Sequence, residues 1–175
     1  MDTQNNIIVL EDVFVNYEHL FEPYSVSGYA PKYGSHLLAL KENKEDKRKI
    51  DEAIDYAIKK GGFDTEEGFD RSQLKLPLRD GDVEHPFDSL YQNCYFLNAT
   101  SSIQPEIYTE YGKRQFDPRA ISKGDYVRAM IEFVPYDFNG NKGVSCKLHA
   151  VQSLGKKSRL LEIRPDVKKA FNIKD

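Results

Sequence analysis

The sequence predicts a mainly β protein: a closed or partly open antiparallel β-barrel with one main α-helix and long loops. Three observations predict it. At least five short runs alternate apolar and polar residues or are rich in β-branched and aromatic residues, with Gly, Pro and Asn signals between them. Only one stretch carries a sustained helical period. The 175 residues, 39% hydrophobic, suffice for a single core, which predicts one domain over 1–155 and a basic, flexible tail over 156–175.

The first strand is expected over residues 7–15 (IIVLEDVFV), which are rich in β-branched and apolar residues, although the continuous IIVL leaves its faces unassigned. Residues 17–23 lead into a loop with Gly28 and Pro31, and KYGSHLLAL (32–40) reads as a second strand. A helix follows. Asn43 is its cap, with acidic residues in the first turn. Ile50, Ala53, Ile54, Ala57 and Ile58 form a narrow apolar stripe at helical spacing, and Gly61-Gly62 ends it. The narrow stripe suits a helix that lies on a sheet or closes one end of a barrel. Glu45 with Lys49 and Asp55 with Lys59 are favourably spaced ion pairs.

Residues 63–73 are polar and read as loop, and 74–86 carry two prolines and a turn at Asp80-Gly81. YQNCYFLNAT (91–100) is the next strand, and Pro105–Tyr108 a short one. The clearest pattern spans Gly124–Gln152, two strands joined by an Asn-Gly-Asn-Lys turn. With Phe138 opposite Gly143, Phe133 faces Leu148 and Ile131 faces Ala150, so one face of the hairpin is apolar. Residues 165–171 have the makings of a helical turn. A five-stranded barrel of this size is commonly of the OB type.

The other face of the hairpin collects Tyr126, Arg128, Tyr136, Lys147 and His149. Rings for bases to stack on and cations for phosphates are what single-stranded nucleic acid requires. The same pattern also describes an ordinary solvated face, with Glu132 paired to Lys147 or His149. The net charge of −3 excludes a chain held to duplex DNA by bulk positive charge, but allows a local basic groove. Eleven Tyr and ten Phe, with no Trp, supply rings either for such a surface or simply for strands.

Cys94 and Cys146 lie far apart in apolar runs, which predicts buried free thiols and excludes a cysteine zinc site. The opening MDTQNNIIVLED has neither a basic n-region nor a long apolar stretch, so no signal peptide and no membrane span are expected, and a cytoplasmic setting follows.

Four blocks, PKYGSHLLAL (31–40), LKLPLRDGD (74–82), YFLNATSSIQPEI (95–107) and the hairpin core VRAMIEFVPYDFNGNKGVSCKLHAVQ (127–152), together resemble the single-stranded DNA-binding proteins of tailed bacteriophages. LPLRDGD and GNKGVSC are the most specific of them. The resemblance implies an OB-fold that binds single-stranded DNA without sequence preference in phage replication, recombination and repair. It implies no catalysis and no cofactor, with single-stranded DNA, replication and recombination proteins of the phage or host, and in one arrangement a second copy in a homodimer, as partners. It places the protein in the cytoplasm of the infected or prophage-carrying host. One departure stands out: the last residues, RPDVKKAFNIKD, are basic, where replicative proteins of this kind often end in an acidic tail. The basic segment is open to contact with DNA or a neighbouring subunit.

Further groove candidates are Lys32 and Tyr33 at the start of the second strand, Lys75 and Arg79 around LPL, and Tyr91 and Tyr95 on one face of the fourth strand. Lys113, Arg114, Arg119 and Lys123 form a basic loop, and Lys156, Lys157 and Arg159 follow the last strand. Each is equally readable as wall packing or surface charge. Two other functions fit the same residues. One is an OB-like module that binds RNA or protein. The other is a metal-dependent nuclease using Asp80, Asp82 and Glu84 beside His85, although these sit in one turn-forming loop.

Overall fold

The computed structural model describes residues 6–156 and 158–174. Seven strands form one sheet: β1 (Ile7–Tyr24), β2 (Lys32–Leu40), β3 (Arg79–Asp80), β4 (Cys94–Ser101), β5 (Glu106–Tyr108), β6 (Tyr126–Phe138) and β7 (Asn141–Ser153). The order is β3-β4-β2-β1-β6-β7-β5, and a parallel pairing of β4 with β7 closes it. The closed ring is therefore a five-stranded barrel of β1, β2, β4, β6 and β7, with OB-type connections. The main helix, α1 (Lys44–Lys60), enters between β2 and β4. Short helical turns follow: α2 (Gly81–Glu84), α3 (Arg159–Glu162) and α4 (Val167–Ala170).

Period-2 alternation builds the barrel interior. Val13, Val15, Leu37, Ala39, Leu97, Ala99, Val127, Ala129, Ile131, Phe133, Cys146 and Leu148 all point inward and are buried. Ile50, Ala53, Ile54, Ala57 and Ile58 of α1 belong to the same core, so the helix closes one end of the barrel. Asn43 caps it through its side chain, which accepts from Asp46 N at 3.2 Å. The buried Asp46 carboxylate accepts the Glu11 and Asp12 amides at 3.1 Å each, where β1 is bulged between Leu10 and Val13. The expected helical pairs do not form. Lys49 turns to the Val9 carbonyl and Asp55 pairs with Arg71, while Lys47–Asp51 and Glu45–Arg48–Glu52 line the helix surface.

The hairpin register differs from expectation by two residues. Asn139 and Gly140, at φ 53° and 83°, make a two-residue turn of the kind that matches strand twist. Phe133 therefore faces Cys146 and Ile131 faces Leu148. A slip of two preserves the faces. A bulge at His149 does not: it turns Ala150 outward and Val151 into the core. β1 also runs nine residues past its predicted end, to Tyr24.

A second buried cluster sits outside the barrel. Tyr126, Phe14, Leu38 and Phe96 are neighbours across β6, β1, β2 and β4, and Leu90 and Tyr91 from the turn before β4, with Cys94 at its first position, join them. Leu154 packs on the same cluster, and Arg159 N bonds to Gly124 O at 2.7 Å. Chain on both sides of residue 155 thus packs on the barrel. Burial pushes the Cys94 thiol up to about 12, and both cysteines are buried and free.

Candidate nucleic-acid interface

In OB barrels the outer face of the second and third barrel strands, here β2 and β4, holds oligonucleotides. Beyond the covered cluster this face is open. Its next row is Asn16, His36 and Asn98, and the row after that is Gly34, Thr100 and Lys147, carried from β2 to β7 by the parallel pairing. Gly34 and Thr100 keep the floor low: a Cβ at Gly34 would lie 2.5 Å from the Ala99 carbonyl oxygen, so no larger residue fits without moving the strands. Lys32 starts β2 on the same side, opposite Tyr24. The β1–β2 tip beyond it holds a recess of about 210 Å³ lined by Tyr24, Val26, Tyr29, Ala30 and Lys32.

Rings border the other side. Tyr17 sits at a β1 bulge between Asn16 and His19 with φ 50°, a conformation rare for a bulky residue. Its ring is 55% exposed and stands edge-on to His36, centroids 5.1 Å apart. His36 also stacks on Phe96 at 5.1 Å, and His85 stacks on Tyr91 at 4.1 Å. Asn16 Nδ2 donates to the Tyr91 hydroxyl at 2.9 Å, and that hydroxyl lies 2.7 Å from His36 Nδ1. Burial, reinforced by the neighbouring His85 and the Arg79 guanidinium, lowers His36 to about 4, so the imidazole is neutral at pH 7. Phe87, beside His85 in sequence, is 100% exposed.

The predicted residues divide by what holds them. Lys32, Lys75, Lys113 and Lys147 have no acidic partner among the described residues. Lys75 is placed by backbone bonds to Lys142 and Val144 at the rim of β7. Arg79 is paired with Glu84 and lies over Phe96. Arg128 is paired with Glu11 at 2.7 Å and also donates to Gln152, and His149 bonds Glu132 at 3.0 Å. Arg114 is paired with Glu106 between the Tyr108 and Phe116 rings, in a loop apart from β2 and β4.

Five tyrosines depart from the exposed positions expected of them. Tyr126 is 7% exposed, its ring edge-on to Phe14 and its hydroxyl donating to Glu162, because residues 154–162 fold over this part of the hairpin. Tyr91 is fully buried and precedes β4, so it shares no strand face with Tyr95. Tyr33 alternates with Lys32 and turns to the interior side, and Tyr95 is half-buried beneath Lys41 and Lys47. Tyr136 is folded against Gly143, its cross-strand partner. Lys157 lies outside the described residues. Tyr17, His36, Asn98, Thr100 and Phe87 were not singled out by sequence reasoning. A bulge, a buried partner 55 positions away and a neutral histidine leave no local signature.

The acidic loop is structural. Asp80 caps α2, Asp82 accepts the Asn93 amide, and Lys41 Nζ bonds both carboxylates at 3.0 and 2.8 Å. Among the described residues no group of three or more His, Cys, Asp or Glu side chains is placed to hold a metal ion. No helix among them is long and apolar enough to cross a membrane.

Comparison with known proteins agrees with this fold. The family described as Enterobacter phage Enc34, ssDNA-binding protein, matches residues 6–174. Protein p50 of Acyrthosiphon pisum secondary endosymbiont phage 1 is 35% identical over 153 residues, 83% of this chain and 81% of that protein. The structure of the single-stranded DNA-binding protein of bacteriophage Enc34 in complex with ssDNA is similar at TM-score 0.75 and 22% identity, covering 90% of this chain and 94% of that one. That of gp2.5, a single-stranded DNA-binding protein encoded by bacteriophage T7, is similar at TM-score 0.63 and 14% identity, covering 91% and 97%. At such identities the structural likenesses speak for the shared fold. With the family match running from the first strand through the last helical turn, this chain belongs to the family of the Enterobacter phage Enc34 ssDNA-binding protein.

Proposed function

We propose that this protein binds single-stranded DNA without sequence preference, and coats and protects it during phage replication, recombination and repair. Membership of a single-stranded DNA-binding family supports the ligand. The observation that carries the site is the open β2–β4 face, a low floor bordered by Tyr17 and His36, with Lys32 and Lys147 along it and Lys75 at the neighbouring rim of β7, three lysines without an acidic partner among the described residues. Bases stack on any ring and phosphates need only cations, so low sequence specificity follows.

The action is stoichiometric and not enzymatic. Binding that favours single strands over duplex lowers duplex stability by mass action alone. The acidic loop has its carboxylates committed to Lys41 and Arg79, which speaks against a nuclease. The setting is the cytoplasm of the infected host, beside phage or host replication and recombination proteins.

Fluorescence anisotropy with labelled oligo-dT, matched duplex and matched single-stranded RNA, each at two salt concentrations, tests the reading. Tight, salt-sensitive binding to oligo-dT with weak binding to duplex is expected. Preference for RNA of equal sequence would assign the face to RNA instead, and no binding at low salt would remove the reading.

A further inference from the structure

The segment from Arg164 to Lys174 is exposed throughout, yet it is shaped. Asp166 caps α4 by accepting the Lys169 amide at 3.0 Å, and the Ala170, Phe171 and Ile173 amides close local turns. This turn displays two largely exposed apolar side chains, Phe171 at 71% and Ile173 at 55%, beside a more covered Val167. Beside them stand Arg164, Lys169 and Lys174, which have no acidic partner among the described residues, and Lys168. The segment is basic within a chain whose net charge is −3. Uncovered apolar side chains mark a contact surface, and the surrounding cations select an anionic partner.

We propose that residues 164–174 are a second single-stranded DNA contact, in which Phe171 stacks on a base and Arg164, Lys169 and Lys174 meet the flanking phosphates. This rests on the function proposed above. It fits because a ring next to cations is the combination an unpaired strand satisfies, whereas an acidic protein surface would leave Phe171 without a stacking partner. The segment follows directly on residues 154–162, which lie over Phe14 and Tyr126, one row from His36 on the β2–β4 side of the barrel. A strand leaving that face can thus pass onto it, which lengthens the occluded site beyond the barrel groove.

The test uses the full chain and oligo-dT of increasing length, with Phe171→Ala and a Lys169→Gln/Lys174→Gln pair. All three side chains are exposed, so unchanged thermal melting is the control for folding. Phe171→Ala is expected to weaken binding to long oligonucleotides by roughly 5- to 100-fold while leaving short ones unaffected. The lysine pair is expected to lower the slope of log affinity against log salt by about 1.4, some 0.7 per phosphate contact. Wild-type binding with both variants indistinguishable from it at every length would overturn the proposal and leave the barrel site standing. Loss of a dimer in Phe171→Ala by light scattering, with DNA affinity unchanged, would overturn it in favour of a second copy as the occupant. Failure of the wild-type chain to bind any oligo-dT would instead remove the function it rests on.

Discussion

The His36 imidazole and the Tyr91 hydroxyl, 2.7 Å apart, join the floor of the open face to the buried cluster behind it. His36 is lowered to about 4 in the folded protein against an ordinary value near 6.5. The unfolded chain therefore binds more protons between these values, and the contribution to stability is complete above about pH 6.5 and is lost as pH falls toward 4. After allowance for the partial exposure of His36, the loss is about 1–2 kcal/mol. Urea denaturation at pH 7, 5.5 and 4.5 measures it, and His36→Gln should remove this part of the pH dependence. Tyr91→Phe strands the Asn16 and His36 nitrogens and should cost about 1–3 kcal/mol at pH 7.

Tyr17 offers a case in which stability and function separate. Its φ of 50° strains the backbone, and the bulge that imposes it turns the ring onto the β2–β4 face. Tyr17→Gly relieves about 1–2 kcal/mol of left-handed strain while losing chain entropy and the edge contact with His36, terms of similar size. Thermal stability should therefore stay close to wild type, whereas Tyr17→Ala, still strained, should melt lower. Both should bind oligo-dT more weakly by roughly 5- to 100-fold, and Tyr17→Phe should bind normally. Equal DNA affinity in all four proteins would remove Tyr17 from the interface.

These two residues also show how far the sequence could be read. The barrel interior was legible because inward positions alternate along each strand, and α1 because Asn43, the apolar stripe and Gly61 mark its start, face and end. The outer face was not legible. Whether Tyr126 is a surface ring or a buried one depends on residues 154–162 folding back over it, and period-2 alternation says nothing about what covers the second face of a sheet. The hairpin register slipped for a similar reason. Its faces follow from alternation, but its pairing follows from whether the turn holds two residues or four. Charged candidates such as Arg128 and Lys147 are indistinguishable in sequence: β1 brings Glu11 to Arg128, whereas Glu132, opposite Lys147, bonds His149 instead.

Asp46 ties α1 to the barrel through two amides of the β1 bulge, and Asn43 Nδ2 bonds the same carboxylate at 2.8 Å. Asp46→Ala leaves those donors without their acceptor and should destabilise the fold by about 2–4 kcal/mol, read from the urea midpoint. Asp46→Asn should also destabilise, because one amide oxygen replaces two acceptors. Neither change touches the β2–β4 face, so oligo-dT affinity of the folded protein should hold.

The division of cations by partner gives the last prediction. Among the described residues, Lys32 and Lys147 at the open face and Lys75 at the rim of β7 have no acidic partner, whereas Arg79 and Arg128 are neutralised by Glu84 and Glu11. A cation already paired releases little counterion when a phosphate approaches, because the carboxylate must first be displaced. Lys32→Gln, Lys75→Gln and Lys147→Gln should each lower the salt slope of oligo-dT binding by about 0.7. Arg79→Gln and Arg128→Gln should leave it nearly unchanged. Anisotropy titrations at four salt concentrations separate the two groups. If the arginine variants change the slope and the lysine variants do not, the strand runs past Arg79 and Arg128, with Glu84 and Glu11 displaced on binding, and not along the row that carries Lys32 and Lys147.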